Sequence, residues 1–166
     1  MRRLFLYLLL VLCLMSTPTL AQTGQPKRFT KVPAGYLMVL QQGDNVFEQL
    51  EALARQEAIP SATFTGLGFV TIQFGFFDFK KKEYKPKTFT DVELTSLTGS
   101  LAWQEGKPSI HAHGVVGDEQ FRAHAGHILS ATVSTGSVEI MITVHPQRLE
   151  RKMNEQLGAN VLSLDE

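Results

Sequence analysis

Hydrophobic positions along the 166-residue chain change period more than once. Leu4 to Met15 is an unbroken apolar run without charge, preceded by Arg2 and Arg3, with Thr19 and Ala21 at the minus-three and minus-one positions of a cut before Gln22. That is the layout of a secretory signal peptide, because the run is too short to stay in a bilayer as a permanent helix. Residues 1–21 are therefore expected to be removed on export, leaving a periplasmic or secreted protein without a membrane anchor. Residues 22–31 are polar, with Pro26, and read as a linker. "GYLMVLQQG" from Gly35 is a short apolar run closed by Gly43, the pattern of a buried strand. In "DNVFEQLEALARQEAI" the period changes: Val46, Leu50 and Leu53 follow i, i+4, i+7, and Phe47 and Ala54 widen the stripe. An amphipathic helix is predicted there, capped by Asp44 or Asn45 and ended before Pro60.

From Ser61 the pattern is that of sheet. "ATFTGLGFVTIQFGFFDF" is rich in Phe, Thr and Val, with Gly66, Gly68 and Gly75 as bend or bulge points. "TFTDVELTSLTGSLAW" alternates with one slip of register, "EGKP" is a turn, and "SIHAHGVV", "QFRAHAGHIL" and "GSVEIMITV" follow as further strands. One main helix and roughly six to eight hairpin-linked strands predict a single α+β domain over residues 32–145 with a mostly antiparallel sheet. Residues 146–166 are charged with a weak helical stripe, and read as a short helix or a mobile tail. Phe74 and Phe76 would share one strand face and Phe77 and Phe79 the other, which leaves core packing and an oligomer interface both open.

Composition narrows the chemistry. Cys13, the only cysteine, lies inside the leader, so the exported chain has no disulfide, no zinc–thiolate site and no cysteine nucleophile. Losing Arg2 and Arg3 lowers Lys plus Arg from 16 to 14 against 16 Asp plus Glu, a net charge of −2. Nucleic-acid recognition draws on cations spread along a surface, and the one basic run here, Lys80 to Lys87, contains Glu83 and Pro86 and reads as an exposed loop.

Four of the five histidines fall between His111 and His127. Strand alternation projects His111 and His113 from the same face, and His127 is placed to return on a neighbouring strand as a third ligand. Gly126 just before it removes a side chain where the backbone approaches the site. His124, three residues from His127, faces the other way on a regular strand and is assigned to a supporting or surface role. Three neutral imidazoles without a thiolate suit Zn²⁺, with Ni, Co or Fe as weaker candidates. A fourth position left open is the kind that activates water or polarises a carbonyl. Glu93 and Glu139 stand on strand-like segments as candidate acid/base groups or as plain solvated residues. No residue is assigned as catalytic, and no organic cofactor fingerprint is present.

"ELTSLTG", "HAH" and "GHIL", in that order within residues 32–145, resemble the PPC (plants and prokaryotes conserved) domain family. The resemblance implies a strand-rich α+β protomer similar in fold to acetolactate decarboxylase, a zinc enzyme held by three histidines. It also implies assembly as a homotrimer, and a metal, typically zinc, on the residues matching His111, His113 and His127. Plant members join this domain to a DNA-reading AT-hook, and members are often labelled as DNA-binding. No Arg-Gly-Arg core occurs in this chain, and "TDVELT" carries Asp91 where the plant partner-binding stretch has arginine. Nucleic acid is thus not the expected partner. Two readings follow: a metal-dependent hydrolase or lyase acting on a small metabolite, or a non-catalytic trimer that binds a small ligand or a partner protein. A carboxylate beside the metal in an open cleft would favour the first.

Overall fold

The computed structural model describes residues 27–164, and the leader expected at residues 1–21 lies outside them. The elements run β1 (Phe29–Val32), β2 (Gly35–Gln41), α1 (Val46–Gln56), β3 (Ser61–Asp78), β4 (Glu83–Gln104), β5 (Lys107–Gly117), β6 (Ala123–His145), β7 (Glu150–Asn154) and β8 (Ala159–Ser163). All pairings between these strands are antiparallel except a single parallel contact, Trp103 with Glu150, between β4 and β7. The α+β class with a mostly antiparallel sheet and one helix thus holds among the described residues.

Helix α1 forms where the apolar stripe predicts it. Asn45 is the cap, its side-chain oxygen accepting from the backbone N–H groups of Phe47 (3.0 Å) and Glu48 (3.2 Å). Asp44 instead accepts from the Gln41 backbone N–H and pairs with Arg28 at 2.7 Å, fixing the chain entering the helix. Val46, Leu50, Leu53 and Ala54 are buried, each large aliphatic side chain contributing about 1.5–3 kcal/mol by leaving water.

Strand β3 lies between β4 and β6, and β5 bonds β4 on one side and β6 on the other. Hydrogen bonding therefore runs β3–β4–β5–β6 and back to β3, a ring in which no member offers a free edge over the paired stretch. Ala112, Val116, Phe64, Ile72, Leu94, Leu97, Ile128 and Val133 fill its inside. Because strand side chains alternate, a β5 that buries Ala112 and Val116 must turn His111 and His113 outward. The expected slip in β4 falls near Asp91, which takes a φ of 50° while pairing jumps from Val70–Val92 to Ile72–Phe89. Glu105 and Gly106, with φ of 51° and 76°, make the two-residue β4–β5 turn.

Three segments differ from expectation. Part of the predicted linker, from Phe29, is β1, which pairs along β2. The predicted helix or mobile tail is the β7–β8 hairpin, closed by Asn154, whose backbone C=O and side-chain oxygen accept from Gly158 (2.8 Å) and Leu157 (3.0 Å). Its entry is anchored by the Arg148 guanidinium 4.2 Å from the Trp103 ring and by the Ser61 hydroxyl donating to the Gln147 carbonyl at 2.7 Å. Finally, the lysine loop is shorter than expected, since β4 already begins at Glu83 and carries Lys85 and Lys87.

Candidate metal centre

His113 and His127 are direct cross-strand partners of β5 and β6, which places both imidazoles on one face. His111, two residues along β5, joins them. The three ring centroids form a near-equilateral triangle, with separations of 5.2, 5.1 and 5.2 Å. Nε2 of His111 and Nε2 of His113 are 3.2 Å apart, and one ring nitrogen of each of the three histidines lies within 4.8 Å of the others. Ligands about 2.0–2.1 Å from a tetrahedral zinc are about 3.3–3.4 Å apart, a separation that the His111–His113 pair already has.

Electrostatics favours the neutral, lone-pair form. Burial, then the neighbouring His111 and His113, pull the His127 imidazole down to about 4 from its ordinary value near 6.5. His111 is also lowered, by burial first and then by the charges of Arg151 and His113. At neutral pH both rings offer a nitrogen lone pair without first losing a proton.

Two neighbours hold the His127 ring. Tyr84 stacks on it at 4.8 Å between centroids and 12° between planes. Gly75, paired with His127 across β3 and β6, makes that possible, because a Cβ there would come within 2.7 Å of Tyr84 Cδ1. The glycine singled out in the sequence, Gly126, serves a different contact: a Cβ on it would press on the Phe74 side chain at 3.3 Å.

A cleft of about 720 Å³ opens over the triad. Its walls include Phe76, Phe77, Phe79 and Tyr84 from the β3–β4 hairpin, and Arg151, Met153 and Val161 from the β7–β8 hairpin. Phe74 points into the core with 5% exposure, while Phe76 and Phe79 are 76% and 66% exposed, so the aromatic run divides between core and cleft. His124 stays apart. It bonds Asp118 at 3.1 Å and stacks on Phe89 at 4.4 Å between centroids, outside the triad. Glu93 and Glu139 are exposed and neither lines the cleft, which corrects their candidacy as acid/base groups. Sequence reading missed Tyr84 and Arg151, and gave Gly75 only the role of a bend or bulge.

The Plants and Prokaryotes Conserved (PCC) domain matches residues 28–146, and the chain belongs to that family. A crystal structure of a candidate DNA-binding protein from Ralstonia eutropha JMP134 is 55% identical, with a TM-score of 0.81, over 83% of this chain and 96% of that one. A metal-containing protein from Archaeoglobus fulgidus is 29% identical, with a TM-score of 0.70, over 81% of this chain and 97% of that one. Alpha-acetolactate decarboxylase from Bacillus subtilis strain 168 shares the fold alone, at 13% identity and a TM-score of 0.51, over 80% of this chain and 61% of that one. A search of curated proteins gives no match.

Proposed function

We propose that this PCC-domain protein carries one divalent metal ion, zinc by its donor set, on His111, His113 and His127, and binds a small molecule in the cleft above it. The observation that carries the reading is the convergence of three imidazole nitrogens within 4.8 Å at a cleft of about 720 Å³, a size suited to a metabolite. The metal-containing Archaeoglobus relative supports it. All three donors are imidazoles and no carboxylate or thiolate lies among them, a set suited to a borderline cation rather than to calcium or magnesium. When bound, such an ion supplies Lewis acidity and an open coordination position. The protein's part is to hold the rings, through β5–β6 register and the Tyr84 stack, and to shelter the site beneath the two hairpins.

Ligand binding is favoured over hydrolysis or elimination, because among the described residues no Asp or Glu lines the cleft to move a proton. A nucleic-acid role is disfavoured because four of the five lysines in the run already have partners. Lys81 pairs with Glu83 at 3.8 Å and Lys85 with Asp78 at 2.7 Å, Lys82 donates to the Glu155 carbonyl at 3.0 Å, and Lys87 lies 5.0 Å from the Phe89 ring centre. Export and a homotrimer remain part of the proposal, motivated by the leader-like N-terminus and the family.

Titration calorimetry of metal-stripped protein with zinc chloride tests the core of this reading. One zinc per chain is expected, with His127→Ala and His113→Ala each weakening it by at least tenfold. Equal zinc uptake by wild type and both variants, or no uptake at all, overturns it.

A further inference from the structure

The charge around the candidate metal centre is unbalanced, and this points to a ligand class. Three neutral imidazoles leave a divalent ion with its full charge, and Arg151 adds a guanidinium to the same cleft. Among the described residues no carboxylate lines the cleft to offset either. Arg151 is only 6% exposed, and among the described residues it has no anionic partner, which is costly for a buried cation. It donates to the Ser100 hydroxyl at 2.8 Å, and its Nε has no hydrogen-bond partner among the described residues. Ser100 sits directly across from His111 in the β4–β5 register, so the guanidinium stands one cross-strand neighbour from the triad. The rest of the cleft is largely apolar, with the exposed Phe76 and Phe79 of the first hairpin and Met153 and Leu157 of the second among its lining residues. Arg151 and this second hairpin lie beyond residue 146, where the family match ends.

We infer that the cleft takes a small organic anion, a carboxylate on an apolar body, whose carboxylate is shared by Arg151 and the three-histidine metal centre. The planar guanidinium suits a carboxylate, and the aromatic wall suits a body that inorganic phosphate lacks. This rests on the reading of His111, His113 and His127 as a metal centre.

The test is titration calorimetry of zinc-loaded protein with 3-phenylpropanoate, 3-phenylpropan-1-ol and inorganic phosphate. The carboxylate should bind at least tenfold more tightly than either of the others, and Arg151→Met should weaken it at least tenfold while zinc stoichiometry stays at one per chain. Arg151→Lys should recover part of the loss. Zinc uptake with no preference for the carboxylate over the alcohol overturns this inference and leaves the metal centre standing. Phosphate binding as tightly as the carboxylate overturns the apolar half. Absence of zinc uptake removes the metal centre and this inference together. If Arg151→Met fails to fold, the ligand series on unaltered protein decides alone.

Discussion

Gly99→Ala tests whether the packing beneath the metal centre is as tight as the structure requires. Gly99 is the cross-strand partner of Phe64, and a Cβ added to it would overlap Phe64 Cζ, lie 2.6 Å from Phe64 Cε2 and 2.7 Å from the His111 carbonyl oxygen. Ordinary carbon–carbon contacts are about 3.5–4.0 Å, so one of these groups must move. Phe64 is 2% exposed and the other obstacle is β5 backbone, so neither yields cheaply. Overpacking of this kind costs about 1–3 kcal/mol, and the loss of backbone freedom in the unfolded chain returns about 0.4–1 kcal/mol. A net loss of about 1–2 kcal/mol follows, which in a domain of this size lowers the melting temperature by roughly 3–10 °C. Urea and thermal unfolding of metal-free protein measure it. Phe64→Leu, which removes the obstructing ring edge, should relieve part of the penalty, giving a coupling of at least about 1 kcal/mol in the double-mutant cycle. A Gly99→Ala protein as stable as wild type, or strictly additive effects of the two changes, would refute the packing account.

Asn45→Ala should cost about 1 kcal/mol by removing the cap of α1, read as a lower urea midpoint. Burial works against the Asp118 carboxylate, yet hydrogen bonds from His124 and from Arg122 and Gln120 hold it well below the usual carboxylate range. Its stabilisation is therefore complete above the ordinary value of about 3.9 and is lost as pH falls below that toward the folded-state value, so the wild-type advantage over Asp118→Asn should shrink between pH 5 and pH 2. A gap independent of pH would show that the carboxylate charge plays no part. His124→Ala should leave one zinc per chain unchanged while lowering stability through its Asp118 and Phe89 contacts, and loss of zinc in that variant would place His124 among the ligands.

What the sequence makes legible is what the core imposes. The α1 stripe and the outward pairing of His111 and His113 follow from burial of their neighbours, Leu50 and Leu53 in one case and Ala112 in the other. His127 is legible as a third member because the β5–β6 connection is short enough to return the chain beside His113. Elements that pack on the outside leave weaker signals. In β7 only Arg151 is fully buried, and β8 has no fully buried residue, so no apolar alternation announces the hairpin that roofs the cleft. The Asn154 to Gly158 turn was the available clue. Gly75 was read only as a bend, because its role depends on Tyr84 from the next strand, a contact no local pattern records. Glu93 and Glu139 are solvated face residues, as strand alternation permits, and the proton-transfer role considered for them finds no support in their position.

The central claim is that His111, His113 and His127 hold one metal ion. Anomalous diffraction from crystals of zinc-loaded protein, collected above and below the zinc absorption edge, tests it most directly. The account predicts one peak per chain at the centre of the three imidazoles, absent in crystals of His127→Ala. Crystals of wild-type protein grown with zinc that show no anomalous peak between these rings, or a peak held by other residues, would contradict it.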